Sequence, residues 1–142
     1  MLQAAGGVPV FANESNATRL GSTITRQILR EFQREGTFCI AGVEDAAIEV
    51  QGTVVKADSD IAAYDITASH RNREYRFRAE CKVSLIDRHA SPARVVVNNR
   101  VYHAETTYNA TNDQITGERD AMGRLAEDFA RQIVDDVLNR KW

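Results

Sequence analysis

Residues 75–87, YRFRAECKVSLID, alternate strictly between apolar and polar positions. Tyr75, Phe77, Ala79, Cys81, Val83 and Leu85 fall on one side, and Arg76, Arg78, Glu80, Lys82 and Ser84 on the other. A period of two over this length predicts a β-strand with one face on a core and the other turned to polar surroundings. A helix would spread both sets around its circumference. Residues 47–57 carry the same pattern, with Ile48, Val50, Gly52 and Val54 opposed to Glu49, Gln51 and Thr53. Residues 94–108, rich in valine, threonine and tyrosine, predict another strand. The turn at 87–93, with Ser91-Pro92, joins it to the 75–87 strand as a hairpin. The apolar run 8–11 predicts a short opening strand, and 38–40 a brief extended piece. Residues 58–73 read as a polar connection. Asp58-Ser59-Asp60 matches only the opening of a calcium loop, lacking its glycine and closing glutamate, and reads as a solvated turn.

Two segments carry helical spacing instead. Across 18–35, Leu20, Ile24, Ile28 and Phe32 form one apolar stripe, opposed by Arg19, Arg26, Arg30 and Arg34, with Gly36 as the stop. The polar stretch 13–18 before it is rich in residues that bond their own backbone and cap helices. Across 116–140, Met122, Leu125, Phe129, Ile133 and Val137 line one face, and the charges opposite them read as a solvated surface. The order is β-α-β-β-β-α. Two amphipathic helices cover only one face of a four-stranded sheet, so the expected fold is α+β, a two-layer sandwich with a mixed sheet and both helices on one side. The whole chain, 1–142, reads as a single domain.

Composition narrows the function more by exclusion than by indication. A net charge of −2 argues against a broad electrostatic grip on nucleic acid, and Tyr75 and Phe77 fall on the buried side, away from any stacking role. The three histidines stand apart on a loop, a turn and a strand, without metal-site spacing. There is no phosphate-binding glycine loop and no nucleophile elbow. Asp135 and Asp136 are adjacent on a helix, where side chains diverge and cannot share a reacting centre. Cys39 and Cys81 read as small buried hydrophobes, although a bridge between them is open in an oxidising compartment. No segment approaches the ~18 apolar residues of a membrane span. No cofactor is called for, and a binding or structural role is favoured over catalysis.

One charged feature stands out: His70-Arg71-Asn72-Arg73 at a hairpin tip, continuing into Arg76 and Arg78. It is either a solvated loop or an anion site, since guanidiniums grip phosphates and carboxylates in two-pronged fashion. Arg76, Arg78, Glu80 and Lys82 share the polar face of their strand and are candidates for contact with a partner.

Several segments, in order over nearly the whole chain, resemble the LPS-assembly lipoprotein (LptE-like) family. They are VPVFANES, the helix T-x-x-I-x-x-x-F-x-x-x-G, AAIEVQGTV, EYRFRAECKVSLIDR and the terminal DAMGRLAEDFARQIVDDVLNRKW. The resemblance implies a non-enzymatic, cofactor-free lipoprotein of the Gram-negative outer membrane. Such a protein is periplasm-facing and sits inside the β-barrel (LptD-like) that inserts lipopolysaccharide (LPS), helping that barrel assemble. It implies three partners: the barrel, LPS, and the membrane through an N-terminal lipid anchor. No nucleic acid is among them. A basic residue of the family near the loop entering the EYR strand is matched best by Arg71, then Arg73, and phosphates on LPS give these guanidiniums a target.

Two departures accompany the resemblance. The family's second basic site precedes the last helix, where this chain has Asn109-Ala110-Thr111-Asn112-Asp113 and no Lys or Arg. The family's lipidated cysteine lies upstream of the first strand, whereas no cysteine precedes Cys39 here. The expectation is a leader and anchor removed ahead of Met1, which is then an added start. The alternative function is a related periplasmic envelope or secretion module of the same sandwich fold, working through protein–protein contacts.

Overall fold

A computed structural model describes residues 4–36, 38–40, 47–64, 73–110 and 114–140. The elements are β1 (Ala4–Gly7), β2 (Ala12–Asn13), α1 (Leu20–Glu35), β3 (Phe38–Ile40), β4 (Ile48–Tyr64), β5 (Arg73–Asp87), β6 (Arg94–Ala110) and α2 (Gln114–Leu138). The order β-α-β-β-β-α holds. Its first β segment is split in two, and the short piece at 38–40 adds a strand at the far edge. The sheet runs β3-β1-β4-β5-β6, with β2 also on β4. The pairings of β1 and β2 are parallel, while β4, β5 and β6 form an antiparallel meander, so the sheet is mixed.

The opening strand differs from expectation. Residues 8–11 are the gap between β1 and β2 rather than a strand. Pro9 has no N–H to give to a ladder, and the chain there leaves the sheet, exposing Val10 and turning Phe11 inward. The Phe11 ring lies over Gly52: a Cβ at that glycine would come within 2.2 Å of the ring. Phe11 N–H donates to Thr25 Oγ1 at 3.0 Å, and Thr25 in turn donates to Gly21 O at 2.9 Å. One residue therefore ties the opening segment to both β4 and α1.

The 13–18 loop bonds its own backbone as expected, with Asn13 Nδ2 donating to Ala17 O at 2.7 Å and Ser15 N–H donating to Asn13 Oδ1 at 2.9 Å. It does not cap α1: the N-cap is Arg19, with no side-chain cap bond. Gly36 ends the helix in the left-handed region (φ 73°), its N–H donating to Phe32 O. Leu20, Ile24, Ile28 and Phe32 of α1 are buried, as are Leu125, Phe129, Ile133 and Val137 of α2. They close over Val50, Val54, Phe77, Cys81, Val83 and Leu85 on one face of the sheet.

Strand β4 runs through what the sequence suggested was a polar connection: residues 58–64 continue its pairing with β5. A register shift between Val54 and Lys56 makes this possible. Before it, even-numbered residues face the core. After it, Ala57, Ser59 and Ile61 pair with the core-side Ala79, Phe77 and Tyr75, while Lys56, Asp58 and Asp60 pair with Glu80, Arg78 and Arg76. The inserted residue flips the alternation, so one strand serves two phases of the pattern. Asp58-Ser59-Asp60 is therefore part of a strand and not a turn.

Helix α2 is more than a covering layer. The Tyr102 hydroxyl donates to Asp136, Arg100 pairs with the same carboxylate at 3.1 Å, and the Arg100 guanidinium lies 5.6 Å from the Tyr102 ring centroid. Burial, then the Asp136 bond, push the Tyr102 phenol well above its ordinary pKa. Asp136, expected on a plainly solvated surface, instead locks α2 to β6. Arg124 donates to Thr107 O at 2.9 Å and Gln132 to His103 O at 3.0 Å. Both bonds occupy carbonyls of β6, the last strand of the sheet, and so protect an edge against pairing with another chain.

Cys81 is a buried free thiol whose pKa is pushed up to about 12, chiefly by burial and secondarily by Glu80. The thiolate is the reactive form, so Cys81 should be inert in the native protein. In a Cys39→Ser background, Cys81 should resist iodoacetamide at pH 8 and label readily in urea. Rapid native labelling would contradict this burial. The side chain of Cys39 lies outside the described residues.

Candidate functional site

The face of the sheet opposite the helices is the candidate surface. It is built from alternate residues of the three long strands: Gln51, Thr53, Lys56, Asp58 and Asp60 on β4, Arg76, Arg78, Glu80 and Lys82 on β5, and Val101, His103, Glu105 and Thr107 on β6. The alternation of 75–87 put Arg76, Arg78, Glu80 and Lys82 together, and the structure carries all four on this face.

Both arginines of this face are paired across strands. Arg78 Nη2 donates to Asp60 Oδ2 at 3.1 Å. Arg76 Nε lies 3.0 Å from Glu105 Oε1, a Coulombic contact without the alignment of a hydrogen bond. His103 Nε2 stands 3.8 Å from Glu80 Oε1. Lys82, beside Thr53 and Val101, has no ionic partner among the described residues. Being exposed, each pair contributes at most about 1 kcal/mol to stability. Their effect is on the surface: they convert a basic strand into a polar face with little net field. Asp60 and Glu105 were not among the candidates from sequence. Asp60 lay in the supposed connection, and its signal was the switch of polar residues to even positions after Val54.

Towards the 87–93 turn the same face changes character. Val95 and Val101 are exposed at 53% and 42%. Glu49, expected on the polar side with Gln51 and Thr53, is only 2% exposed. Arg88, just past β5, covers it: Arg88 Nη2 and Nε donate to Glu49 Oε2 at 2.8 and 3.1 Å, and Gln51 Nε2 donates to the same oxygen at 3.1 Å. Arg88 N–H also donates to Ala47 O at 2.7 Å, so this residue clamps the turn to the start of β4.

Arg73 opens β5, its backbone paired with Tyr64 and Ala110. Its side chain, and Arg71 with the rest of the 65–72 connection, lie outside the described residues. Among the described residues no group of three or more His, Cys, Asp or Glu could hold a metal ion, and no helix is long and apolar enough to cross a membrane.

Among solved structures, three relatives share the fold over most of their length. The protein CT253 of Chlamydia trachomatis is 10% identical, with 96% of each chain covered and a TM-score of 0.63. A minor lipoprotein of Acinetobacter baumannii is 13% identical, covering 96% of this chain and 94% of that one at 0.56. Lipoprotein B of Nitrosomonas europaea is 15% identical, covering 96% and 83% at 0.56. At such identities the likeness is one of fold. No curated protein matches the chain. The lipopolysaccharide-assembly family LptE, however, matches residues 7–137, from the end of β1 to the last turn of α2, and the chain therefore belongs to the LptE family of lipopolysaccharide-assembly proteins.

Proposed function

We propose that this chain is a non-enzymatic, lipid-anchored subunit on the periplasmic side of the outer membrane. In this reading it plugs and helps assemble the LPS-inserting β-barrel (LptD-like), and contacts LPS through Arg71 and Arg73. The observation that carries the reading is the uncovered sheet face with both of its arginines already paired across strands. The lumen of a large membrane barrel is polar. A surface docking there must not strand an unpaired charge as water leaves, because an uncompensated buried charge is strongly unfavourable. Arg76 and Arg78 meet that condition within the domain itself, against Glu105 and Asp60, leaving Lys82 to find a partner on the barrel wall.

Co-expression with the LPS-translocon barrel of the same genome, followed by affinity purification in detergent, should yield a one-to-one complex that survives washing. Absence of a complex between two folded partners would overturn the reading. The lipid contact has its own test. Arg71→Glu with Arg73→Glu should weaken LPS binding at least tenfold, while the unfolding free energy from urea denaturation stays within about 0.5 kcal/mol of the parent, as for exposed charges generally. Unchanged LPS binding would remove these two residues from the site.

A further inference from the structure

A polar concavity lies on the helical side of the molecule. A cleft of about 490 Å³ is lined by Gln27, Arg30, Glu31 and Arg34 of α1 and by Glu127 and Arg131 of α2. On each helix these positions recur at intervals of three and four, so two facing stripes form its walls. Three guanidiniums stand against two carboxylates. Arg34 Nη2 donates to Glu31 Oε1 at 2.6 Å, and Arg131 Nη2 lies 3.7 Å from Glu127 Oε2. Arg30 has no ionic partner among the described residues. The cleft therefore holds one positive charge in excess, carried on planar donors that match phosphate geometry.

Its size and lining narrow the ligand further. Small-molecule sites span roughly 300–1,000 Å³, so this cleft has room for more than a bare phosphate ion. No aromatic or aliphatic side chain lines it, which leaves a nucleobase nothing to stack on and an acyl chain nothing to pack against. What it offers beyond the arginines is an amide and two carboxylates, the groups that pair with hydroxyls.

We propose that the cleft between α1 and α2 binds a phosphorylated sugar, with the phosphate on Arg30 and Arg131 and the hydroxyls on Gln27, Glu31 and Glu127. A soluble sugar phosphate and the phosphorylated sugar headgroup of a glycolipid present the same chemistry. The site is separate from Arg71 and Arg73, and it does not depend on the barrel contact.

Calorimetric titration of the full chain with glucose 1-phosphate, inorganic phosphate and glucose tests the soluble source. Flotation with phosphatidylcholine vesicles carrying a phosphorylated glucosamine glycolipid tests the membrane source. Arg30→Gln with Arg131→Gln should weaken binding at least tenfold in whichever arm is positive, with an unchanged thermal melt. Gln27→Leu, which alters no charge, should weaken glucose 1-phosphate while sparing inorganic phosphate. Vesicle binding lost in the Arg30/Arg131 variant but kept in the Arg71/Arg73 variant would assign the glycolipid to this cleft. Binding in neither arm, binding that the Arg30/Arg131 variant leaves unchanged, or inorganic phosphate held as tightly as the sugar phosphate would overturn the proposal.

Discussion

Phe11→Ala is expected to destabilise the fold by about 3–5 kcal/mol, the usual loss when a buried phenylalanine is truncated. The upper part of that range applies because the site cannot easily collapse. The ring is only 3% exposed and lies on Gly52, which has no side chain to swing into the space. The Phe11 backbone is fixed by Thr25 on one side, and its carbonyl crowds Gly21 on the other, where a Cβ would come within 2.8 Å. Urea denaturation should show a lower midpoint with an unchanged slope. A companion substitution separates ring packing from general damage. Gly52→Ala, whose methyl would collide with the ring, should destabilise the parent yet be nearly neutral in the Phe11→Ala background. A loss below about 1 kcal/mol for Phe11→Ala would mean that the opening segment is not anchored through this ring.

Arg88→Ala should cost about 2–3 kcal/mol. Breaking a buried ion pair typically costs 3–5 kcal/mol, because the partner is left buried and unpaired. Here the figure is discounted: the Arg88 side chain is 37% exposed, so water screens part of the interaction, and Gln51 still donates to Glu49. The mechanism has a signature that simple loss of contacts lacks. Glu49→Leu combined with Arg88→Leu should be less destabilising than Arg88→Ala alone, since the double variant removes the stranded carboxylate together with its partner. If the double variant is the worse of the two, the residues contribute separately and not as a pair.

Much of the fold was legible because its core obeys simple periods. The alternation of 75–87 named its buried set, Phe77 to Leu85, and the stripes Leu20–Phe32 and Leu125–Val137 named the helical surfaces that cover it. What escaped were places where one residue changes the phase or the direction of the chain. The shift after Val54 moved the polar positions of β4 from odd to even, so Lys56, Asp58 and Asp60 resembled a loop when they were a strand facing Glu80, Arg78 and Arg76. Pro9 broke the apparent opening strand, and Phe11 left it for the core. Long-range pairs were illegible for a different reason: Glu49 with Arg88 and Asp136 with Tyr102 lie 39 and 34 residues apart, and nothing local marks either carboxylate. On the candidate surface, the basic side was readable from one strand. Its neutralisation by Asp60 and Glu105 required knowing which strands flank it.

In the proposed function the open sheet face meets the barrel. A photo-crosslinking residue in place of Lys82, the cation of that face without an ionic partner among the described residues, probes this contact. In cells expressing both proteins, illumination should join the two chains in one covalent species that carries the barrel. A complex that purifies intact yet yields no cross-link from position 82 would contradict docking through this face.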